Sequence, residues 1–184
     1  MLEASDALVM VDEAYFEFSR YTVRPLLEQY ENLVILRTFS KAFSLAGVRM
    51  GYLLGSKAAL REFKKVRQPY SVDAVSQAIA RVIYENRAQF EPGIDAIIEQ
   101  RERIIAELGE LPDVTAFPSQ ANYVLFRMGE GIDAGEVWQR LFDEGVLIRD
   151  FSRSAGLENC LRVSIGTEEE NTRFLEALKK IVIR

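Results

Sequence analysis

Apolar residues fall along this chain in two rhythms. ALVMV (7–11), LVILRTF (33–39) and RMGYLLG (49–55) are short runs that read as strands. The first is the unbroken kind expected of a strand buried on both faces of a parallel sheet. Helical spacing is present at 23–30, where Pro25 fits only a first turn. It then governs 56–67, 72–88 and 92–110, with breaks expected at Pro69 and Pro92. After Pro112 the character changes. Strands at 121–128, 145–151 and 160–166 alternate with helices at 133–144 and 168–182, a βαββα order that suggests a small α+β domain with a partly exposed sheet.

The predicted architecture is therefore α/β. A partial, mostly parallel, doubly wound sheet with helices occupies 1–110, and a small α+β domain occupies 111–184, with the boundary between Glu107 and Phe117. There is no internal repeat and no low-complexity linker. Three strands are few for a doubly wound sheet, and the first lies almost at the N-terminus. The expectation is that the chain is a fragment or that another chain completes its sheet.

Composition narrows the chemistry. Of 184 residues, 23 are basic and 28 acidic, for a net charge of -5. A general nucleic-acid surface would be basic, so none is expected. Cys160 is the only cysteine, which excludes an internal disulfide and suits a reducing cytosol. No apolar run approaches the roughly 18 residues that span a bilayer, and the N-terminus lacks a basic leader, so a cytoplasmic protein without membrane contact is expected. Histidine is absent. That removes Ser-His-Asp and Cys-His catalysis and, with a single cysteine, the usual zinc sites. Chemistry must come from Lys, Asp, Glu, Tyr, Arg or a cofactor.

Asp12 ends the first strand, where open α/β sheets place their ligand crevice. From position alone it could hold a cationic nitrogen, coordinate Mg²⁺ or cap the next turn. Tyr15 is three residues on and could turn back to the same crevice. Lys41 lies in RTFSKAFSLAGVRMG among apolar neighbours that would desolvate its amine and favour the neutral nucleophile. Thr38 and Ser40 offer hydroxyls, and Arg49 offers a planar fork for a phosphate. A neutral lysine, a phosphate cradle and a nearby carboxylate together meet the requirements of pyridoxal phosphate. Arg162, on the polar face of LRVSIG, and Arg149, ending VLI, make a plausible double clamp for a substrate anion. GEGIDAG (129–135) mimics a dinucleotide fingerprint, but its third glycine comes one residue late and its acids would repel a pyrophosphate, so Asp133 reads as a helix N-cap. Cys160 reads as a small buried side chain.

The ordered set VDEAYFEF (11–18), ILRTFSKAFSLAGVRMGY (35–52), PYSV (69–72), FPSQANYVLF (117–126), GVLIRDF (145–151) and ENCLRVSIGTEEEN (158–171) resembles the histidinol-phosphate aminotransferases. These are class II aminotransferases of pyridoxal-phosphate fold type I, and the resemblance covers nearly the whole chain. It implies transamination between histidinol phosphate and glutamate in histidine biosynthesis, by a homodimer acting on small molecules. Under it, Lys41 would form the internal aldimine and shuttle the proton. Asp12 would pair with the pyridinium nitrogen, and Tyr15 would bond the phenolic oxygen. Ser40 and Arg49, helped by Thr38, would bind the cofactor phosphate. Arg162 and Arg149 would bind substrate anions, with Tyr70 and Asn122 in segments that approach the substrate. A complete member is about twice as long. The resemblance therefore implies a C-terminal portion that lacks a glycine-rich phosphate segment, a ring-stacking aromatic residue and an asparagine partner of Tyr15. Related readings are a threonine-phosphate decarboxylase, an aromatic aminotransferase, or an inactive truncated fragment.

Overall fold

The computed structural model describes residues 2–183. The chain divides into two compact units, residues 1–92 and 93–184. The division lies in the first turn of the helix at 91–109, whose Ile104 and Leu108 pack into the core of the second unit.

In the first unit β1 (Val9–Asp12) pairs in parallel with β2 (Leu33–Thr38), which pairs antiparallel with β3 (Gly51–Gly55). The sheet order is β1-β2-β3. β2 carries the buried Leu33, Val34 and Ile35. Two strand expectations are corrected. β1 is not buried on both faces, since it lies at the margin of the described sheet and Met10 is 48% exposed. β3 is not parallel, since 39–50 holds no α-helix to carry a crossover, and the chain simply turns back. Gly51 is required at that return, because a Cβ there would lie 2.8 Å from the Arg37 carbonyl oxygen.

The helix expected at 23–30 is a 3₁₀ turn, Arg24–Glu28, opened by Pro25. Before it comes the short α1 (Phe16–Ser19). α2 (Lys57–Val66) starts where Ser56 accepts the Ala59 amide, and α3 (Ala74–Glu85) where Asp73 accepts that of Ser76. Ala80 of α3 packs against Phe39 and Phe43 from the β2–β3 connection, and Phe90 meets Phe43 edge-on. Pro92 does not break a helix. It sits in the first turn of α4 (Glu91–Gly109), where a missing N–H costs nothing.

The second unit is the expected α+β domain with one unforeseen strand, β4 (Val114–Ala116). It pairs with β5 (Tyr123–Met128), and the wholly antiparallel order is β4-β5-β7-β6, with β6 at Arg149–Asp150 and β7 at Cys160–Ser164. The strand expected over 145–151 shrinks to two residues, because Val146 and Ile148 turn toward the core and the Ile148 carbonyl accepts the Trp138 indole N–H. α5 (Ala134–Asp143) is capped by Asp133, as read from the sequence. α6 (Glu168–Val182) opens with a Thr167–Glu170 capping box. Val124, Phe126, Leu141, Leu161, Phe174 and Leu178 fill the core between sheet and helices.

Candidate active site

β1 and β2 are parallel, so their C-terminal ends emerge side by side. Asp12 pairs with Leu36 across the ladder, and the Glu13 amide donates to the Leu36 carbonyl at 2.9 Å. Asp12 is exposed, and its Oδ1 accepts the Ala14 amide at 2.9 Å, an Asx turn that swings the chain back. Tyr15 follows, with its ring centre 5.5 Å from Lys41 Nζ. Tyr15 and Lys41 thus approach each other from the ends of two neighbouring strands, with Asp12 at the end of β1.

One feature of Lys41 is corrected. The side chain is exposed, not desolvated. Its apolar neighbours Phe39 and Phe43 turn inward against Ala80, so the connection buries its aromatics and presents the lysine to solvent.

The connection itself is tightly held. The Thr38 hydroxyl donates to the Met50 carbonyl at 3.2 Å and accepts the Ser40 amide at 3.1 Å. Thr38 pairs with Gly51, which places Ser40 and Arg49 two residues beyond on facing arms. Arg49 is exposed, donates to the Ala46 carbonyl at 2.9 Å, and has a left-handed backbone with φ 56°. Ser44 in the same loop has φ 55°. Each such non-glycine residue costs on the order of 1 kcal/mol, and such strain clusters at ligand-holding loops.

A buried polar network that the sequence reading missed lies beneath these residues. Arg37 donates from Nε and Nη2 to Glu13 Oε2 at 3.0 and 2.8 Å, and Glu13 and Arg37 are only 7% and 9% exposed. Glu13 also accepts the Thr22 hydroxyl at 2.9 Å and the Val23 amide at 2.7 Å, and the guanidinium lies 3.6 Å from the Phe16 ring centre. Burial pushes the nearby Glu17 carboxyl above its ordinary value against the pull of Arg37, and it raises the Tyr52 hydroxyl likewise. The signal was available. Glu13, just past the apolar β1, and Arg37, inside the apolar β2, are opposite charges with the same sequence offset as Asp12 and Leu36.

In the second unit Arg162 lies directly opposite Arg149 across β7 and β6. Like charges facing across a strand pair repel. The Arg162 guanidinium sits 4.8 Å from the Tyr123 ring centre and 5.5 Å from that of Phe151, while its Nε is buried with no hydrogen-bond partner among the described residues. Both arginines line an open cleft of about 710 Å³ with Trp138, Ile148 and Phe174. The paired arginines are thus brought together as expected. Asn122 lies in the same unit, where its carbonyl accepts the Ile165 amide at 2.9 Å. Tyr70, in the first unit, is 98% exposed with φ 60° and touches none of the other candidates there.

The family profile "Aminotransferase class I and II" matches residues 1–178. The chain belongs to that family. The class I and II aminotransferases depend on pyridoxal phosphate. A histidinol-phosphate aminotransferase of Thermoanaerobacter is 39% identical over 183 residues, 100% of this chain and 51% of the relative. The structure of L-threonine-O-3-phosphate decarboxylase from Porphyromonas gingivalis is similar at a TM-score of 0.83 and 27% identity, covering 95% of this chain and 55% of that one. Histidinol-phosphate aminotransferase from Sinorhizobium meliloti, in complex with pyridoxal-5'-phosphate, matches at 0.75 and 29%, covering 95% and 48%. The chain spans about half the length of the curated relatives it matches. Its residues fit the cofactor of an aminotransferase. The first unit offers an exposed amine, an exposed carboxylate, a tyrosine ring between strand ends, and a hydroxyl-amide turn facing Arg49.

Proposed function

We propose that this aminotransferase chain moves an amino group between histidinol phosphate (with imidazole acetol phosphate as its keto partner) and glutamate or 2-oxoglutarate, in histidine biosynthesis. The observation that carries the reading is the approach of Lys41 Nζ to the Tyr15 ring beside Asp12, at the ends of parallel strands. The name of the Thermoanaerobacter relative supports the substrate. In this reading residues 1–110 contribute to the cofactor domain and 111–184 form the small C-terminal domain.

Pyridoxal phosphate, when bound, supplies the electron sink that makes a proton on the substrate α-carbon acidic. Lys41 would anchor the group covalently and, once freed, would serve as the general base and acid of the 1,3-proton shift. The exposed Asp12 carboxylate would hold a cationic ring nitrogen, and the Tyr15 hydroxyl would steady the ring oxygen. Ser40 and Arg49 receive the phosphate, with Thr38 fixing the turn from which Ser40 projects. Arg162 and Arg149, whose mutual repulsion an anion relieves, take the carboxylate of glutamate or the phosphate of histidinol phosphate. Asn122 and Tyr70 belong to segments near the substrate. We also infer a cytoplasmic homodimer, supported by the exposed apolar residues Leu8, Met10, Val75 and Val82. Among the described residues no helix is long and apolar enough to cross a membrane.

The Porphyromonas structure favours a second reading, phosphothreonine decarboxylation, because a phosphate clamp serves either substrate. Products decide between them. Glutamate formed from histidinol phosphate and 2-oxoglutarate supports the first reading, and carbon dioxide released from threonine phosphate alone replaces it with the second.

A further inference from the structure

We infer that the buried Glu13–Arg37 ion pair is the positioning element of this site: it locks the ends of β1 and β2 in one register and so sets Asp12 and Tyr15 against Lys41. The inference rests on Lys41 being the cofactor lysine. Asp12 immediately precedes Glu13 and Tyr15 follows two residues later, while Thr38 and Lys41 follow Arg37 by one and four. Every first-unit candidate except Arg49 and Tyr70 thus hangs within four residues of one end of the pair. The pair is also fixed on all sides. Two N–H groups of one guanidinium reach a single Glu13 oxygen, Thr22 bonds both partners, Val23 bonds the other oxygen, and Phe16 covers the guanidinium face. A planar fork held in this way has one orientation.

Stability alone does not account for the arrangement. Desolvating two charges offsets most of their attraction, and a packed apolar pair of similar volume is as stable or more so. What the ion pair adds is direction. An apolar contact tolerates sliding by a fraction of an ångström, whereas two N–H groups converging on one carboxylate oxygen do not. A misplacement of about 1 Å at reacting groups is enough to cost on the order of a hundredfold in rate.

The test replaces both charges together, Glu13→Leu with Arg37→Met, so that no buried charge is left unpaired. The holoenzyme is then compared with the parent by thermal unfolding, by the pH midpoint of its visible cofactor absorbance, and by kcat and KM. The expected double variant folds and keeps its cofactor. Its absorbance midpoint moves and kcat falls about ten- to a hundredfold, with KM for the amino donor unchanged. A folded double variant with the parental midpoint and kcat overturns the inference and makes the pair structural only. If the double variant does not fold, Thr22→Val decides. It removes the hydroxyl that bonds both partners, and the same shift in smaller measure is expected, while an unmoved midpoint overturns the inference. A parent protein with no lysine-dependent absorbance would instead defeat the assignment of Lys41.

Discussion

Lys41 Nζ stands 5.5 Å from the centre of the Tyr15 ring, although the two residues belong to different strand ends. The parallel register of β1 and β2 produces that approach, since it carries Asp12 and Leu36 to the same level and lets both chains turn on the same side. A lysine presented to solvent beside an aromatic ring is placed to be an anchor for a flat, anionic cofactor.

Replacing Lys41 by Ala should therefore abolish transamination in the intact enzyme. General acid–base work alone is worth about 10²–10⁴-fold, and the covalent anchor goes with it. Single-turnover measurement of amino transfer checks this. Near-parental turnover would remove Lys41 from the chemistry.

Asp12→Asn should slow proton abstraction much more than it weakens cofactor binding, because a neutral amide cannot hold the ring nitrogen protonated. The Asx bond to Ala14 survives in Asn, so the turn itself is kept. Equal rates of abstraction in parent and variant would return Asp12 to the role of a turn cap.

Much of this was legible in the chain. The apolar runs gave β1, β2 and β3, and the motif order singled out Lys41, Asp12 and the two arginines as candidates. Strand direction was not legible, because a run such as RMGYLLG carries no mark of which way it pairs. Nor was the exposure of Lys41, since Phe39 and Phe43 lie beside it in sequence yet point to the opposite side. The Glu13–Arg37 bridge depends on the register of β1 against β2, which brings residues 24 apart in sequence to one level and which neither apolar run carries by itself.

Arg162→Ala should raise KM for glutamate and for histidinol phosphate together. Losing charged hydrogen bonds worth about 1.5–3 kcal/mol corresponds to roughly ten- to a hundredfold. Arg162→Lys should also be damaging, because an ammonium cannot reproduce the guanidinium stacked between Tyr123 and Phe151. Unchanged constants for both substrates would dissolve the clamp.

Glu17 yields a pH prediction. Burial raises its carboxyl above the ordinary value, with Arg37 and Arg20 opposing and Glu91 reinforcing. The folded state therefore binds the proton more tightly than the unfolded state. Its contribution is fully present below the unfolded value of 4.5 and is lost as pH rises through the folded one. Glu17→Gln should raise stability near neutral pH, and the gain should shrink on acidification. Urea unfolding across that range checks it, and a gain that does not vary with pH would contradict it.

The 184-residue chain should self-associate, because Val75 and Val82 on α3 are 67% and 56% exposed and Met10 lies on the marginal strand. Sedimentation of the parent beside Val75→Lys/Val82→Lys tests this, with a shift toward monomer expected. A parent that is monomeric throughout would refute it.

If Lys41 carries pyridoxal phosphate, covalent labelling reports it. The purified protein is incubated with the cofactor, reduced with borohydride, digested, and its peptides weighed. A visible absorbance band before reduction and a stoichiometric phosphopyridoxyl mass on the peptide containing Lys41 are expected. A protein that shows no band, or whose label spreads over surface lysines such as Lys57, Lys64 and Lys180 without favouring Lys41, would contradict it.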